Sequence, residues 1–404
     1  MLISPDQAYQ AVMQAVQPLP SQVVDLRNCL GMTLAKPIKA DRNLPPVNLS
    51  AMDGYAIQAQ DASKETCRLA IIGECAAGSK PDVVIGKGQA ARIYTGAMLP
   101  KGADAVAIVE QCSEEQDHVI VQGKIPPNAN IFRRGENAAR GEVLLPKGEP
   151  IASPQIGVCA AVGAATVSVI RLPTIMVLCT GEELRSANEP VKPYETRNSN
   201  GPMLQAALQE WRFESRFQIV PDSLPKIKAA IQRNLKKHDV IILTGGVSKG
   251  RYDFVKEAIE QIGGRIRFHG VAMKPGKPQL FATIGKNQCI FGLPGNPLSA
   301  MTGLHELVLP ALRRMAGRPI EQCRHIFKAV LAKPVESKGD RLRFILGRLS
   351  FDGSNLCIEP VESQSSADIA ASGRADGALM VPKDARKIQA GAVVEFRPWK
   401  QWPS

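Results

Sequence analysis

Val240–Asp253 reads VIILTGGVSKGRYD. The opening run is short, apolar and rich in Ile and Val, which suits a strand buried in a parallel sheet. Gly245, Gly246 and Gly250 follow, and they allow φ > 0 and close approach of backbone to a ligand. Ser248 adds a hydroxyl donor. The segment from Asp253 to Ile262 then carries Phe254, Ala258, Ile259 and Ile262 on one helical stripe. A strand, a glycine turn and a helix start in this order form an anion cradle, because the free N–H groups and the positive dipole end of the helix face the turn. Asp253 at the helix start reads either as an N-cap or as a hard-oxygen ligand for Mg²⁺ beside a phosphate. The GxxxxGK[ST] spacing of the P-loop is absent.

Outward from this turn, strands and helices alternate between about 173 and 320. TIMVLC, RFQIV, VIILT and QCIFGL read as strands. PMLQAALQEW, LPKIKAAIQRNLKK, DFVKEAIEQI and the segment Leu298–Met315 read as helices. That alternation predicts a doubly wound α/β domain, with ligands at the carboxyl ends of the strands. Residues 1–40 read as helical. Ser4-Pro5-Asp6-Gln7 fits an N-cap, a Pro at the first helical position and a capping box. From about 41 to 140, short strands between Gly, Pro and Asp turns predict a small β domain. Ser153-Pro154 restarts a helix through Val158 and Ala161, and the chain from about 325 onward returns to short strands. The expected division is 1–42 with 141–172 as an elongated N-terminal linker domain, 43–140 as a small β domain, 173–322 as the α/β domain and 323–404 as a C-terminal β domain.

The chain has 404 residues, 44% hydrophobic and 22% charged, which is ordinary for a soluble globular protein. No stretch is long and apolar enough to span a membrane, and MLISPDQAYQ lacks the pattern of a signal peptide. Nine cysteines without a CxxC pair point to reduced thiols in a cytoplasmic protein. The five histidines show no metal-ligand spacing. The net charge is +12, but only 5% of residues are aromatic and the basic residues are dispersed. This argues for anionic small molecules as partners, with neither nucleic acid nor membrane.

The strand ends combine into one constellation. TIMVLC ends in Thr180-Gly181-Glu182-Glu183, RFQIV in Pro221-Asp222, VIILT in the glycine turn, and QCIFGL in Pro294-Gly295-Asn296-Pro297. Lys274-Pro275-Gly276-Lys277-Pro278 lies between the last two. Glu183, Asp222 and Asp253 offer hard oxygens to a divalent cation, and Lys274 and Lys277 are point charges for an oxyanion. Pro294 and Pro297 shape a rigid turn, one of them a candidate for a cis bond. Each residue alone reads as readily as a cap or a turn. Together they favour a phosphate–metal site.

SAMDGYA (Ser50–Ala56), TGAMLPKGADAV (Thr95–Val106), RRGE (Arg133–Glu136), TGEEL (Thr180–Leu184), TGGVSKG, KPGKP and GLPGNP occur in the order found in one family. The chain resembles, over nearly its whole length, the molybdopterin molybdenumtransferases, which include the bacterial MoeA-type molybdenum insertases and the E domain of gephyrin. The resemblance implies a cytosolic enzyme of molybdenum cofactor biosynthesis. It would take adenylylated molybdopterin and molybdate, use Mg²⁺ and release AMP. It also implies a homodimer of four-domain subunits whose clefts draw on both copies, with contacts to the pathway's adenylyltransferase and to molybdoenzyme chaperones.

Carried over by motif, Asp53, Thr95, Glu183, Asp222 and Asp253 resemble catalytic residues, with Asp222 and Asp253 as Mg²⁺ ligands and Asp53 and Thr95 contributed across the dimer cleft. Gly245, Gly246, Ser248, Gly250, Pro294 and Pro297 resemble the binding site for the pterin nucleotide. Lys274, Lys277, Ser299, Arg341 and Ser366 resemble the molybdate pocket. The chain departs from the family pattern at Asn137, Phe132 and Leu346, where Asp, Arg and Arg are usual. These departures leave a second reading, a non-catalytic molybdopterin-binding or scaffold paralogue on the same fold.

Overall fold

A computed structural model describes residues 2–246, 254–337, 339, 341–353 and 355–400. The chain forms two compact units, Lys36–Lys147 with Ser153–Thr166, and the rest.

The smaller unit is built on a six-stranded sheet. Its strand order is Ala105–Ile108, Gly54–Ile57, Gln89–Ile93, Thr66–Cys75, His118–Gln122 and Cys112–Glu115. The sheet is buried on both faces. Tyr55, Ile57, Leu69, Val119 and Val121 pack on one, and Ala56, Cys75, Ile93 and Val106 on the other. Gly54 is required here by space, since a Cβ would lie 1.9 Å from the Ala107 carbonyl oxygen.

The larger unit opens with the helix Pro5–Ala15, whose capping box between Ser4 and Gln7 is complete. The helical reading of residues 1–40 fails beyond this point. Pro18 and Pro20 cannot continue a helix, and Ser21–Asp25, with two valines, forms a strand instead.

The central sheet runs Ser215–Val220, Ile175–Thr180, Val240–Thr244, Gln288–Leu293, Leu280–Ile284 and Arg265–His269. The first four strands are parallel, and the last two are an antiparallel extension that the helix–strand alternation did not predict. Helices cover both faces. Leu178, Ile241, Leu243 and Ile290 pack with Ile227, Ile231, Val255 and Ile259 on one side. Val177, Ile242 and Phe291 pack with Val12, Leu204, Leu208, Leu304 and Leu312 on the other. Two covered faces are why VIILT is apolar at every position rather than at alternate ones. The chain passes from Ile175–Thr180 outward to Ser215–Val220 and back to Val240–Thr244, so the order reverses between Thr180 and Gly245. Crevices form at that kind of point.

The segment expected as one helix over Leu298–Met315 is interrupted. Pro297–Gly303 and Leu309–Met315 are α-helical, and Leu304–Val308 is a π-turn. Pro310 lacks an N–H and its ring crowds the preceding turn, which accounts for the widened spacing before it.

The C-terminal strands Leu342–Asp352, Asn355–Pro360, Phe327–Leu331, Val393–Pro398 and Gly377–Val381 close on themselves, because the first also pairs with the last. Among the features that join this barrel to the central domain are a strand pairing and a buried charge cluster. Met273–Lys274 pairs in parallel with Leu342–Arg343. Glu306, 1% exposed in the π-turn, accepts from Arg397 Nε at 2.6 Å and from Arg324 Nη2 at 2.7 Å. Among the described residues no helix is long and apolar enough to cross a membrane.

Candidate functional site

A cleft of about 1620 Å³ opens at the carboxyl ends of the parallel strands of the larger unit. Thr180, Gly181, Glu183, Asp222, Gly245, Gly246, Pro294 and Pro297 line its central-domain side. Lys274, Lys277 and Ser299 continue the wall toward the barrel, which supplies Arg341 and Ser366. The strand pairing of Lys274 opposite Arg343 draws the lysine loop to that side.

The floor is held by a hydrogen-bond chain. The Asn200 amide donates to Thr244 Oγ1 at 2.8 Å and to the Gly295 carbonyl at 2.7 Å, and Thr244 Oγ1 donates to the Pro294 carbonyl at 3.1 Å. Gly245 N donates to the Leu293 carbonyl at 3.1 Å. The glycine turn and the GLPGNP turn are thus tied to each other. Gly245 and Gly246 have φ of +93° and +63°, the region that favours glycine.

The acidic wall is strained electrostatically. Burial, with Glu183 and Glu182 adding like charge, pushes the Asp222 carboxyl up from its ordinary value. Asp222 Oδ1, Thr180 Oγ1 and Asn200 Oδ1 are buried without a hydrogen-bond partner among the described residues. Buried polar atoms are normally paired, and these three face the cleft floor with their acceptor capacity open among the described residues. Opposite, Lys274 and Lys277 are exposed, and Ser299 is 4% exposed. Its carbonyl accepts from the fully buried Gln279 amide at 3.1 Å.

Of the sequence-predicted residues, Ser248, Gly250 and Asp253 lie outside the described residues. Asp53 and Thr95 belong to the smaller unit, where Thr95 donates to Asp53 Oδ1 from its N–H at 2.7 Å and its hydroxyl at 2.8 Å. These bonds hold the Asp53 carboxyl below its usual range. The candidate cis bond at Pro294 or Pro297 is not found. Among the described residues the cis bonds are Leu44–Pro45 and Lys274–Pro275. Among the described residues no cluster of three or more His, Cys, Asp or Glu is arranged around a metal position. Sequence reasoning missed Asn200, Asn296 and Gln279. The two asparagines stand at helix starts, where a cap is the ordinary reading.

Fold and cleft together define a multidomain α/β protein with a site of acids on one wall and cationic groups on the other at a strand-end crevice. Family models match in three consecutive pieces. They are the MoeA N-terminal region (domain I and II) over residues 3–163, a probable molybdopterin binding domain over 176–314, and the MoeA C-terminal region (domain IV) over 328–399. A molybdopterin molybdenumtransferase of Staphylococcus aureus (strain MSSA476) is 32% identical over 395 residues, covering 96% of this chain and 94% of its own. One from Staphylococcus epidermidis (strain ATCC 12228 / FDA PCI 1200) is 32% identical over 398 residues, covering 95% and 94%. The crystal structure of a molybdopterin biosynthesis MoeA protein from Pyrococcus horikoshii superposes with a TM-score of 0.84 at 30% identity, covering 100% of both chains. The chain belongs to the MoeA family of molybdopterin molybdenumtransferases, transferases of molybdenum cofactor biosynthesis.

Proposed function

We propose that this enzyme inserts molybdenum from molybdate into adenylylated molybdopterin with Mg²⁺-dependent release of AMP. The observation that carries the reading is the polarity of one cleft, with Glu183 and the orphaned Asp222 oxygen on one wall and Lys274, Lys277, Ser299, Arg341 and Ser366 on the other. A phosphoanhydride needs a cation and backbone donors beside it, and molybdate needs a cationic pocket within reach. Such chemistry runs on positioning and charge neutralisation.

Asp222 suits a metal ligand, because its desolvated carboxyl lies beside like charge with one oxygen unpaired among the described residues, and a cation there would favour the ionised form. With Asp253 as second acid it would hold Mg²⁺, which supplies charge neutralisation to the cleaved phosphoanhydride. Gly245 and Gly246 give the backbone room to approach the phosphate. Lys274, Lys277 and the hydroxyls of Ser299 and Ser366 hold the oxyanion, with Arg341 as a bidentate donor. The four-domain division, a cytoplasmic homodimer in which Asp53 and Thr95 act across the dimer cleft, and contacts with the adenylyltransferase and chaperones belong to the same proposal.

The test is AMP release from purified protein given adenylylated molybdopterin, Mg²⁺ and molybdate. The reading expects molybdate-dependent release, its loss in Asp253→Ala, and a raised molybdate requirement in Lys277→Ala. Unchanged turnover in both variants overturns the site assignment. Tight binding without release supports the scaffold reading instead.

A further inference from the structure

Asn296 is the N-cap residue of the helix Pro297–Gly303, yet its side chain makes no capping bond. An N-cap asparagine ordinarily accepts from the backbone N–H of the second or third helical residue. Here the Leu298 N–H donates instead to the Ser366 carbonyl at 3.1 Å. The freed Asn296 amide donates through Nδ2 to Ser366 Oγ at 2.7 Å. Two hydrogen bonds, both donated by the start of this helix and both accepted by Ser366, therefore clasp one residue of the barrel domain to the GLPGNP turn of the central domain. Both residues line the cleft, beside Ser299 and the lysine loop.

The direction of the second bond has a chemical consequence. A serine hydroxyl has one proton and two lone pairs. When Asn296 donates to the oxygen, one lone pair is occupied by that donor, and the proton is left to point elsewhere. With the oxygen anchored by Asn296, the proton is the group Ser366 has to offer an oxyanion, which cannot donate to the remaining lone pair. A serine on an exposed loop without this partner would rotate and offer lone pairs as readily as its proton.

We propose that Asn296 is a positioning residue for oxyanion binding: its amide fixes the Ser366 hydroxyl as a donor into the cleft and holds the loop that carries it. This rests on the reading of the cleft as an oxyanion site. Asn296 itself need not touch the oxyanion. The specificity follows from the chemistry, because a site of fixed donors favours a tetrahedral oxyanion over ligands that bring their own protons.

The experiment measures molybdate in two ways on the full chain, as the concentration giving half-maximal AMP release and as direct calorimetric binding of molybdate without nucleotide. Asn296→Ala is expected to weaken both by about tenfold, the usual scale for one hydrogen bond to a charged group. AMP affinity, read in parallel, should stay at the wild-type value, which a general collapse of the cleft would not allow. Ser366→Ala should match Asn296→Ala, and the double variant should be no worse than either, since both remove the same donor. Asn296→Asp is nearly isosteric but only accepts. It would turn the Ser366 proton away from the cleft and add a negative charge, so its loss should exceed that of Asn296→Ala. The proposal is overturned if Ser366→Ala shifts molybdate binding and Asn296→Ala does not, or if the two effects multiply. A wild type that neither binds molybdate nor responds to it overturns the oxyanion reading itself, a distinct result.

Discussion

Gly245→Ala tests whether the glycine turn is a cradle or merely a strand end. At φ +93° a Cβ on residue 245 would stand 2.4 Å from the Thr180 backbone oxygen and 3.0 Å from Thr180 Oγ1. Ordinary contact begins at 3.4 Å, so the turn must retreat by about 1 Å from the neighbouring strand. Neither strand can yield easily, because Ile175–Thr180 and Val240–Thr244 pair residue for residue in the buried sheet. The positive φ adds about 1–2 kcal/mol of strain to a non-glycine residue, and forced repacking typically about 1–3 more. Against a total stability of about 5–15 kcal/mol, the variant folds with a weakened frame. A 1 Å displacement of a positioning element costs on the order of 100-fold in rate. Gly285 is the control. Its φ is +58°, and an added Cβ meets nothing within 4 Å. Gly285→Ala should therefore show the strain in denaturant unfolding without a change in AMP release. Equal turnover in Gly245→Ala and wild type would refute the reasoning.

Asp222→Asn should stabilise the protein at neutral pH while lowering activity. The folded carboxyl has a raised pKa, so its ionisation opposes folding as pH rises through that value, and the gain should vanish below about 3.8. A variant less stable than wild type at pH 7 in denaturant would count against this. Arg397→Met should cost about 3 kcal/mol, the lower end for breaking a buried ion pair, because Glu306 keeps Arg324. A loss below about 1 kcal/mol in chemical denaturation would mean the pair is not the tether described. Burial, then Arg313 and His325, push the His305 ring down to about 3. Folded His305 stays neutral while the unfolded residue takes a proton near 6.5. Wild type should accordingly lose roughly 2 kcal/mol more than His305→Leu between pH 7 and pH 5 in denaturant midpoints. Parallel pH profiles would remove His305 as the source.

The parts of the fold that the sequence made legible are those whose burial is uniform. Ile175–Thr180, Val240–Thr244 and Gln288–Leu293 are covered on both faces and read as unbroken apolar runs. Arg265–His269 was opaque because RIRFH alternates charged and apolar residues on a half-exposed edge. The π-turn was opaque as well, because Leu298–Met315 reads as one helix and no residue type marks where its spacing widens before Pro310. Within the site, glycines, lysines and acids at strand ends announce themselves by type. Asn200, Asn296 and Gln279 do not. Their roles depend on partners 44, 70 and 20 residues away, Thr244, Ser366 and Ser299. A residue type signals chemistry only when its usual structural use is rare, and asparagine at a helix start is common.

The oxyanion wall raises a further physical question, because its groups come from two domains and a site loose by 1 Å loses most of its effect. Three links of different kinds hold the barrel against the central domain. Met273–Lys274 is strand-paired to Leu342–Arg343, Asn296 and Leu298 grip Ser366, and Arg397 reaches Glu306 in the π-turn. The first places Lys274, the second places Ser366, and the third touches no site residue. Arg397 Nη1 is moreover buried without a partner among the described residues, so the pair leaves a polar group unsatisfied. Buried pairs of this kind add little net stability relative to an apolar replacement. What the pair supplies is register. The carboxylate accepts two charge-assisted bonds only when the barrel is seated in one position, whereas an apolar contact would tolerate sliding. On this reasoning replacing the whole cluster, Glu306→Leu with Arg397→Met and Arg324→Met, leaves no charge buried alone and should regain stability in denaturant unfolding while still weakening molybdate binding, which separates the two contributions in a single variant.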